Sequence, residues 1–119
     1  MLSKKFRLPG NQIPQVIKKG KRFSFPLFNL VVLEPRTYHL KPSSARFTFV
    51  VSKKVSKKAV IRNRTKRLFS ESVRLLMPQI KKSYNVIFFA KKALIEEKLQ
   101  DIMSQVEKSL KNANLFDIK

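Results

Sequence analysis

Few side chains in this sequence are equipped to make or break bonds. His39 is the single histidine, and it stands among prolines and serines with no carboxylate cluster nearby, as an exposed loop residue would. Up to residue 95 the acids are Glu34 and Glu71, far apart in sequence. A carboxylate pair for proton transfer, or a cluster holding Mg²⁺, would need unrelated positions to converge. Cysteine is absent, which excludes thiolate chemistry, Cys/His zinc spacing and a disulfide scaffold. There is no Walker loop, and Gly10 and Gly20 both precede the first strand-like run, so no glycine-rich phosphate cradle is available. No residue is expected to be catalytic, and no metal ligand is assigned.

The binding equipment is richer. Residues 53–67 hold eight bases among fifteen positions, with no acid. A solvated face normally mixes signs, because like charges four apart on a helix repel, so this run reads as a polyanion-binding surface. Arginine brings a planar fork for phosphate, lysine a mobile point charge, and Asn63 adds a neutral donor and acceptor between Arg62 and Arg64. On a helix these three side chains fan through about 200°, which suits a folded, concave backbone. No helix-turn-helix signature precedes them, whereas A-form RNA offers phosphate surfaces and shape. A lipid surface would call for a wide apolar face beside the bases. Phe47, Phe49, Phe88 and Phe89 lie in apolar runs where core packing is the default and base stacking the alternative. Phe88 and Phe89 must point to opposite faces of a strand, so one of them is the better groove candidate.

The elements that must position these groups follow from periodicity. Residues 1–10 read as a basic, poorly ordered arm. Asn11 can cap a short helix that tolerates Pro14 in its first turn and ends at Gly20, with Ile13, Val16 and Ile17 on one face. Residues 28–33 form a strand, and 35–44 a loop. Residues 45–51 alternate Phe47, Phe49 and Val51 against Arg46, Thr48 and Val50, a second strand expected to pair with the first. A small strand over 23–28 would be an edge or turn because of Pro26. The longest helix spans 58–77 and stops at Pro78. Ile61, Leu68, Phe69, Val73 and Leu76 form its packing stripe, with Arg62, Asn63, Lys66, Arg67, Ser70 and Arg74 on the other side. Glu71 is placed to pair with Arg67 or Arg74. Residues 84–89 make a third strand, and 95–113 a last helix with Leu99, Ile102, Val106 and Leu110 at core spacing. Its early Glu96 and Glu97 and its late Lys108 and Lys111 suit the helix dipole.

The whole chain agrees with this reading. It has 119 residues with 27 bases against seven acids, a formal net charge of +20, and 43% hydrophobic residues. That is enough apolar material for one modest α+β domain over 1–119, with a frayed end expected over 114–119. Residues 1–95 carry 23 of the bases and two acids, while 96–119 carry four lysines and five acids. No apolar run approaches the ~18 residues of a transmembrane span, and the first ten residues lack a secretory h-region. An intracellular protein that meets nucleic acid is the expectation.

Ser52-Lys53-Lys54-Val55, followed by Ala59-Val60-Ile61-Arg62-Asn63-Arg64-Thr65-Lys66-Arg67, resembles the protein-subunit family of bacterial ribonuclease P. The second stretch looks like that family's RNR motif, and Glu71 stands where its helix usually carries a glutamate. The similarity runs from about Phe6 to Leu110. It implies a compact α/β sandwich of order α-β-β-(β)-α-β-α, related to domain 2 of ribosomal protein S5, with a left-handed β-α-β crossover. It also implies a cytoplasmic subunit of an endoribonuclease whose chemistry resides in a large RNA that holds Mg²⁺. The partners would be that catalytic RNA and the 5′ leader of precursor tRNA, with no membrane and no obligate protein partner. Lys53, Lys54, Lys57, Lys58, Arg62, Asn63, Arg64, Lys66 and Arg67 would face the RNA subunit. Ile13, Ile17, Lys18, Lys19, Arg22, Val31, Arg46 and Thr48 would follow the leader. Three departures from the family pattern, at four positions, matter. Ser56 stands where many members have glycine, Ser70 where arginine is common, and Ile13 and Ile17 where phenylalanines often face the groove. The alternative is a small basic ribosomal or other structural RNA-binding protein, which would sediment with a ribosomal subunit.

Overall fold

The computed structural model describes residues 6–34, 45–80 and 84–113. In chain order they form α1 (Ile13–Lys19), β1 (Lys21–Ser24), β2 (Phe28–Leu33), β3 (Arg46–Val50), α2 (Ala59–Leu76), β4 (Asn85–Ala90) and α3 (Leu99–Asn112). Short 3-10 turns lead into α1 (Gly10–Gln12), follow α2 (Met77–Gln79) and precede α3 (Lys92–Glu96). The expected loop over 35–44, with His39, lies outside the described residues, as do 1–5 and 114–119. Among the described residues no helix is long and apolar enough to cross a membrane.

One four-stranded sheet has the order β1-β2-β4-β3. β1 with β2 and β2 with β4 run antiparallel, while β3 and β4 run parallel. The expected pairing of residues 28–33 with 45–51 is therefore corrected: β4 lies between them. The reason is burial. Asn85 to Phe88 are buried in succession, and a strand that is apolar from Val86 on, without alternation, belongs in the middle of a sheet covered on both faces. β3 alternates in polarity and takes the edge. Because β3 and β4 are parallel neighbours, the chain between them must cross over, and it does so through α2. The small strand is also shifted. It occupies Lys21–Ser24, and Pro26, which has no N–H for a ladder, stands in the turn closed by Phe25 N–H donating to the Phe28 carbonyl at 3.0 Å.

Strand alternation divides the apolar residues between two layers. Phe28, Leu30, Val32, Phe47, Val86 and Phe88 face Phe69, Val73 and Leu76 of α2 and Ile102, Val106 and Leu110 of α3. Phe28, Phe69 and Phe88 pack with ring centroids 5.2–5.4 Å apart. On the opposite face, Val31 and Ile87 lie under Val16 of α1 and beside Leu8. Leu8 N–H donates to the Phe47 carbonyl at 2.9 Å, and Arg7 bridges Phe47 in parallel. The described end of the basic arm is thus tied to the outer edge of β3.

Three sequence expectations on the helices change. The last helix begins at Leu99, with Glu96 and Glu97 ahead of it and Asp101 as the acid of its first turn. Ser70, assigned to the outer side of α2, is 3% exposed, and its hydroxyl donates to the Arg67 carbonyl at 3.2 Å. Ile61 and Leu68 are only half-buried, and Thr65 and Ser72 complete the inward face. Their hydroxyls make this possible by donating to the Ile61 and Leu68 carbonyls one turn back.

Candidate nucleic-acid interface

The run from Ser52 to Arg67 is built around one apolar peg. Val55 is buried, and its N–H donates to the Ser52 carbonyl at 3.0 Å to close a turn. With Val55 held inward, Lys53, Lys54, Lys57 and Lys58 all stand exposed around it. Ser56 then organises the entry to α2. Its hydroxyl accepts the Lys58 N–H at 3.2 Å, and its carbonyl accepts Arg62 Nη1 at 3.0 Å. A glycine at this position would lose the first of these bonds. Arg62 is consequently half-buried and folded back on the loop, whereas Asn63, Arg64, Lys66 and Arg67 are exposed. Val60, 77% exposed, puts an apolar methyl pair among these charges.

Glu71 chooses between its two possible partners. Arg74 Nε donates to its Oε2 at 2.9 Å, and Arg74 Nη2 donates to Oε1. The hydrogen bond from Arg74 holds the Glu71 carboxyl below its ordinary value and raises the guanidinium in turn. Among the described residues Arg67 makes no ion pair, and it stands exposed to an outside anion.

The second surface lies across the sheet. Register places Arg22, Val31, Ile87 and Thr48 in one row, and Ser24, Asn29, Phe89 and Val50 in another, all on the face that α1 covers. Ile13 and Ile17 are half-buried along α1, with Lys18 and Lys19 exposed in its last turn. Val31 is 4% exposed and serves as floor beneath α1. Arg46 is partly committed: Nη2 donates to Gln12 Oε1 at 2.8 Å and Nε to Asn85 Oδ1 at 3.4 Å, tying β3 to the turn before α1. Thr48 donates its hydroxyl to the Leu8 carbonyl at 3.3 Å. An open cavity of about 590 Å³ beyond the end of α1 is lined by Ile17, Arg22, Ser24, Asn29 and Phe89 among others.

All eight residues expected to follow the leader lie on α1 or on strands of this sheet, and six of them share its covered face. The nine expected to face an RNA subunit lie in the loop after β3 and on α2. Among the described residues, no group of three or more His, Cys, Asp or Glu side chains is placed to hold a metal ion. The sequence reading did not single out Ser24 and Asn29, which line this cavity, and left Phe88 and Phe89 undivided. Phe88 is fully buried in the main core and Phe89 is half-buried on the α1 face. β4 itself carried no signal for this, being apolar from Val86 to Ala90. Asn29, a polar residue inside an apolar strand, was the one available clue.

The family model for ribonuclease P matches residues 2–114. The chain is 37% identical over 103 residues to the ribonuclease P protein component of Alkaliphilus oremlandii, covering 87% of this chain and 85% of that one. It is 38% identical to the component of Clostridium kluyveri, over 93% of this chain and 96% of that one. The chain belongs to the bacterial ribonuclease P protein family. It is the RNA-binding, non-catalytic subunit of that ribonucleoprotein endonuclease, assisting RNA-mediated cleavage of the 5′ leader from precursor tRNA. Its partners are the catalytic RNA and that leader. The fold agrees. A Staphylococcus aureus ribonuclease P protein mutant superposes with a TM-score of 0.82 at 25% identity, over 95% of this chain and 92% of that chain. The protein of Thermotoga maritima superposes with a TM-score of 0.76 at 22% identity, over 89% and 96%.

Proposed function

We propose that the two basic surfaces divide the work of the subunit between its RNA partners. Lys53, Lys54, Lys57, Lys58, Asn63, Arg64, Lys66 and Arg67 dock on the catalytic RNA, and Arg62 helps by fixing the loop that displays them. The face bearing Ile13, Ile17, Lys18, Lys19, Arg22, Arg46 and Thr48 takes the single-stranded leader. The observation that carries this reading is the gathering of Ile13, Ile17, Arg22, Val31, Arg46 and Thr48 on one sheet face, opposite the layer that holds α2. Phosphate contacts dominate on both surfaces, so affinity depends strongly on salt. Mg²⁺ is held by the RNA, and the protein's positive field lowers the Mg²⁺ concentration required where phosphates crowd together. The subunit works in the cytoplasm as a single domain.

Photocrosslinking from positions 13, 17 and 46, in complexes with catalytic RNA and a leader-labelled precursor, tests the assignment. Crosslinks to the leader are expected. Crosslinks confined to the mature tRNA body would overturn it.

A further inference from the structure

We infer that the cavity between the basic arm and α2, at the outer edge of β3, is a seat for one phosphodiester of the catalytic RNA, clamped by Arg7 and Lys66; this rests on the reading of α2 as the RNA-subunit surface. Leu8 sets the register of the arm. It is buried in the α1 layer, its N–H donates to the Phe47 carbonyl at 2.9 Å, and its carbonyl accepts the Thr48 hydroxyl at 3.3 Å. Arg7 bridges Phe47 in parallel, and residues paired side by side in a sheet point to the same face. Phe47 faces α2, so the arm presents Arg7 on that side while Leu8 holds on from the other. Lys66 and Ser70 lie one turn apart on α2. The enclosed space, about 190 Å³, is lined by Arg7, Lys66 and Ser70 beside Phe47 and Phe49.

The lining selects an anion. It holds two cations and no acid. Arg7 and Lys66 are exposed, and among the described residues neither makes an ion pair. The hydroxyls have already placed their protons, Ser70 on the Arg67 carbonyl and Thr48 on the Leu8 carbonyl, so the cations supply the donors. The two phenylalanines form a wall of low dielectric, which strengthens charge-assisted contacts beside it. The volume lies below the ~300–1,000 Å³ of small-molecule sites and suits a tetrahedral oxyanion. A planar fork from Arg7 and a mobile ammonium from Lys66 would grip such a group from the arm and from the helix. The catalytic RNA is the source, because exposed Asn63 stands one turn before Lys66 and the cavity continues that docking surface. The leader lies on the opposite face, under α1. Arg7 thereby joins the RNA-subunit interface, and it does so only because Leu8 pegs the arm.

The test is binding of the full chain to catalytic RNA across a salt series, with precursor binding to the assembled holoenzyme as a second arm. Arg7→Ala and Lys66→Ala should each weaken catalytic-RNA binding about three- to tenfold, between an exposed ion pair and a hydrogen bond to a charged group. The double variant should lose little beyond either single, and its log–log salt slope should flatten by about 0.7–1 unit, as for one phosphate. Leu8→Ala keeps every charge but frees the arm, so it should match Arg7→Ala and add nothing to it. Circular dichroism checks each fold, and the exposed pair Arg7 and Lys66 decides the matter if Leu8→Ala does not fold. The seat is overturned if folded Arg7→Ala binds catalytic RNA like the parent, or if the two single losses simply add. A loss confined to precursor binding gives the phosphate to the leader and overturns it too. Arg64→Ala, outside the cavity, judges the broader reading. If it weakens catalytic-RNA binding while Arg7→Ala does not, only the seat fails. If neither changes affinity or slope, the docking surface on α2 fails with it.

Discussion

Arg62 and Arg64 look equivalent as letters but not as side chains. Arg62 spends a guanidinium N–H on the Ser56 carbonyl, while Arg64 is exposed. Arg64→Ala should reduce the log–log salt slope of catalytic-RNA binding by about 0.7–1 unit, with helix content unchanged. Arg62→Ala should also loosen the loop that carries four lysines, and so lower affinity at every salt concentration. Filter binding across a salt series separates the two; identical slopes and affinities for both variants would remove the distinction. Glu71 gives a second prediction. Its folded pKa lies below the ordinary 4.5, so its pairing with Arg74 contributes fully above that value and is lost as pH falls through the depressed one. Acid titration of Glu71→Gln against the parent should show the two curves converging at the acid end. At this scale the RNR charges could be read directly from residue types. The division of labour between Arg62 and Arg64 could not, because it depends on where the Ser56 carbonyl points.

Among the elements, α1 is the one whose seat matters most for function. A Cβ on Gly20 would lie 2.5 Å from the Val16 carbonyl oxygen and 2.6 Å from Val31 Cγ1. Neither is the far end of a flexible side chain. Gly20→Ala should therefore lift α1 from β2 and cost roughly 1–3 kcal/mol, the range for overpacking a filled site. Thermal denaturation measures that cost, and leader affinity should fall with it while binding of catalytic RNA alone is spared. Periodicity located the helices over residues 13–19 and 59–76 and the strands over 28–33 and 46–50 to within a few residues. It did not supply the sheet order. Pairing of β3 with β4 across α2 is a tertiary choice made by β4's burial on both faces, and a local pattern does not distinguish a chain neighbour from a spatial one.

As a whole molecule the protein carries +20 on 119 residues around a modest core, so self-repulsion opposes the folded state. An anion that binds only the folded form stabilises it by linkage, about 2.7 kcal/mol at a hundredfold excess over its dissociation constant. Sulfate should raise the melting temperature above that of chloride at matched ionic strength. Coincident melting curves would show screening alone. Net charge and its concentration before residue 96 are properties of the string of letters, and they pointed to a polyanion without any fold. What the fold adds is direction. α3, whose Asp101 and Glu107 offset its lysines and whose Glu107 pairs with Lys111 at 3.3 Å, packs beside α2 on one side of the sheet. The charge is therefore off-centre, and the molecule has an electric dipole as well as a net charge. In the field of a folded RNA such a body feels a torque before it touches anything, swinging its near-neutral flank outward. The encounter is sorted by orientation while the partners are still separated by water, and fewer collisions are wasted on the wrong side.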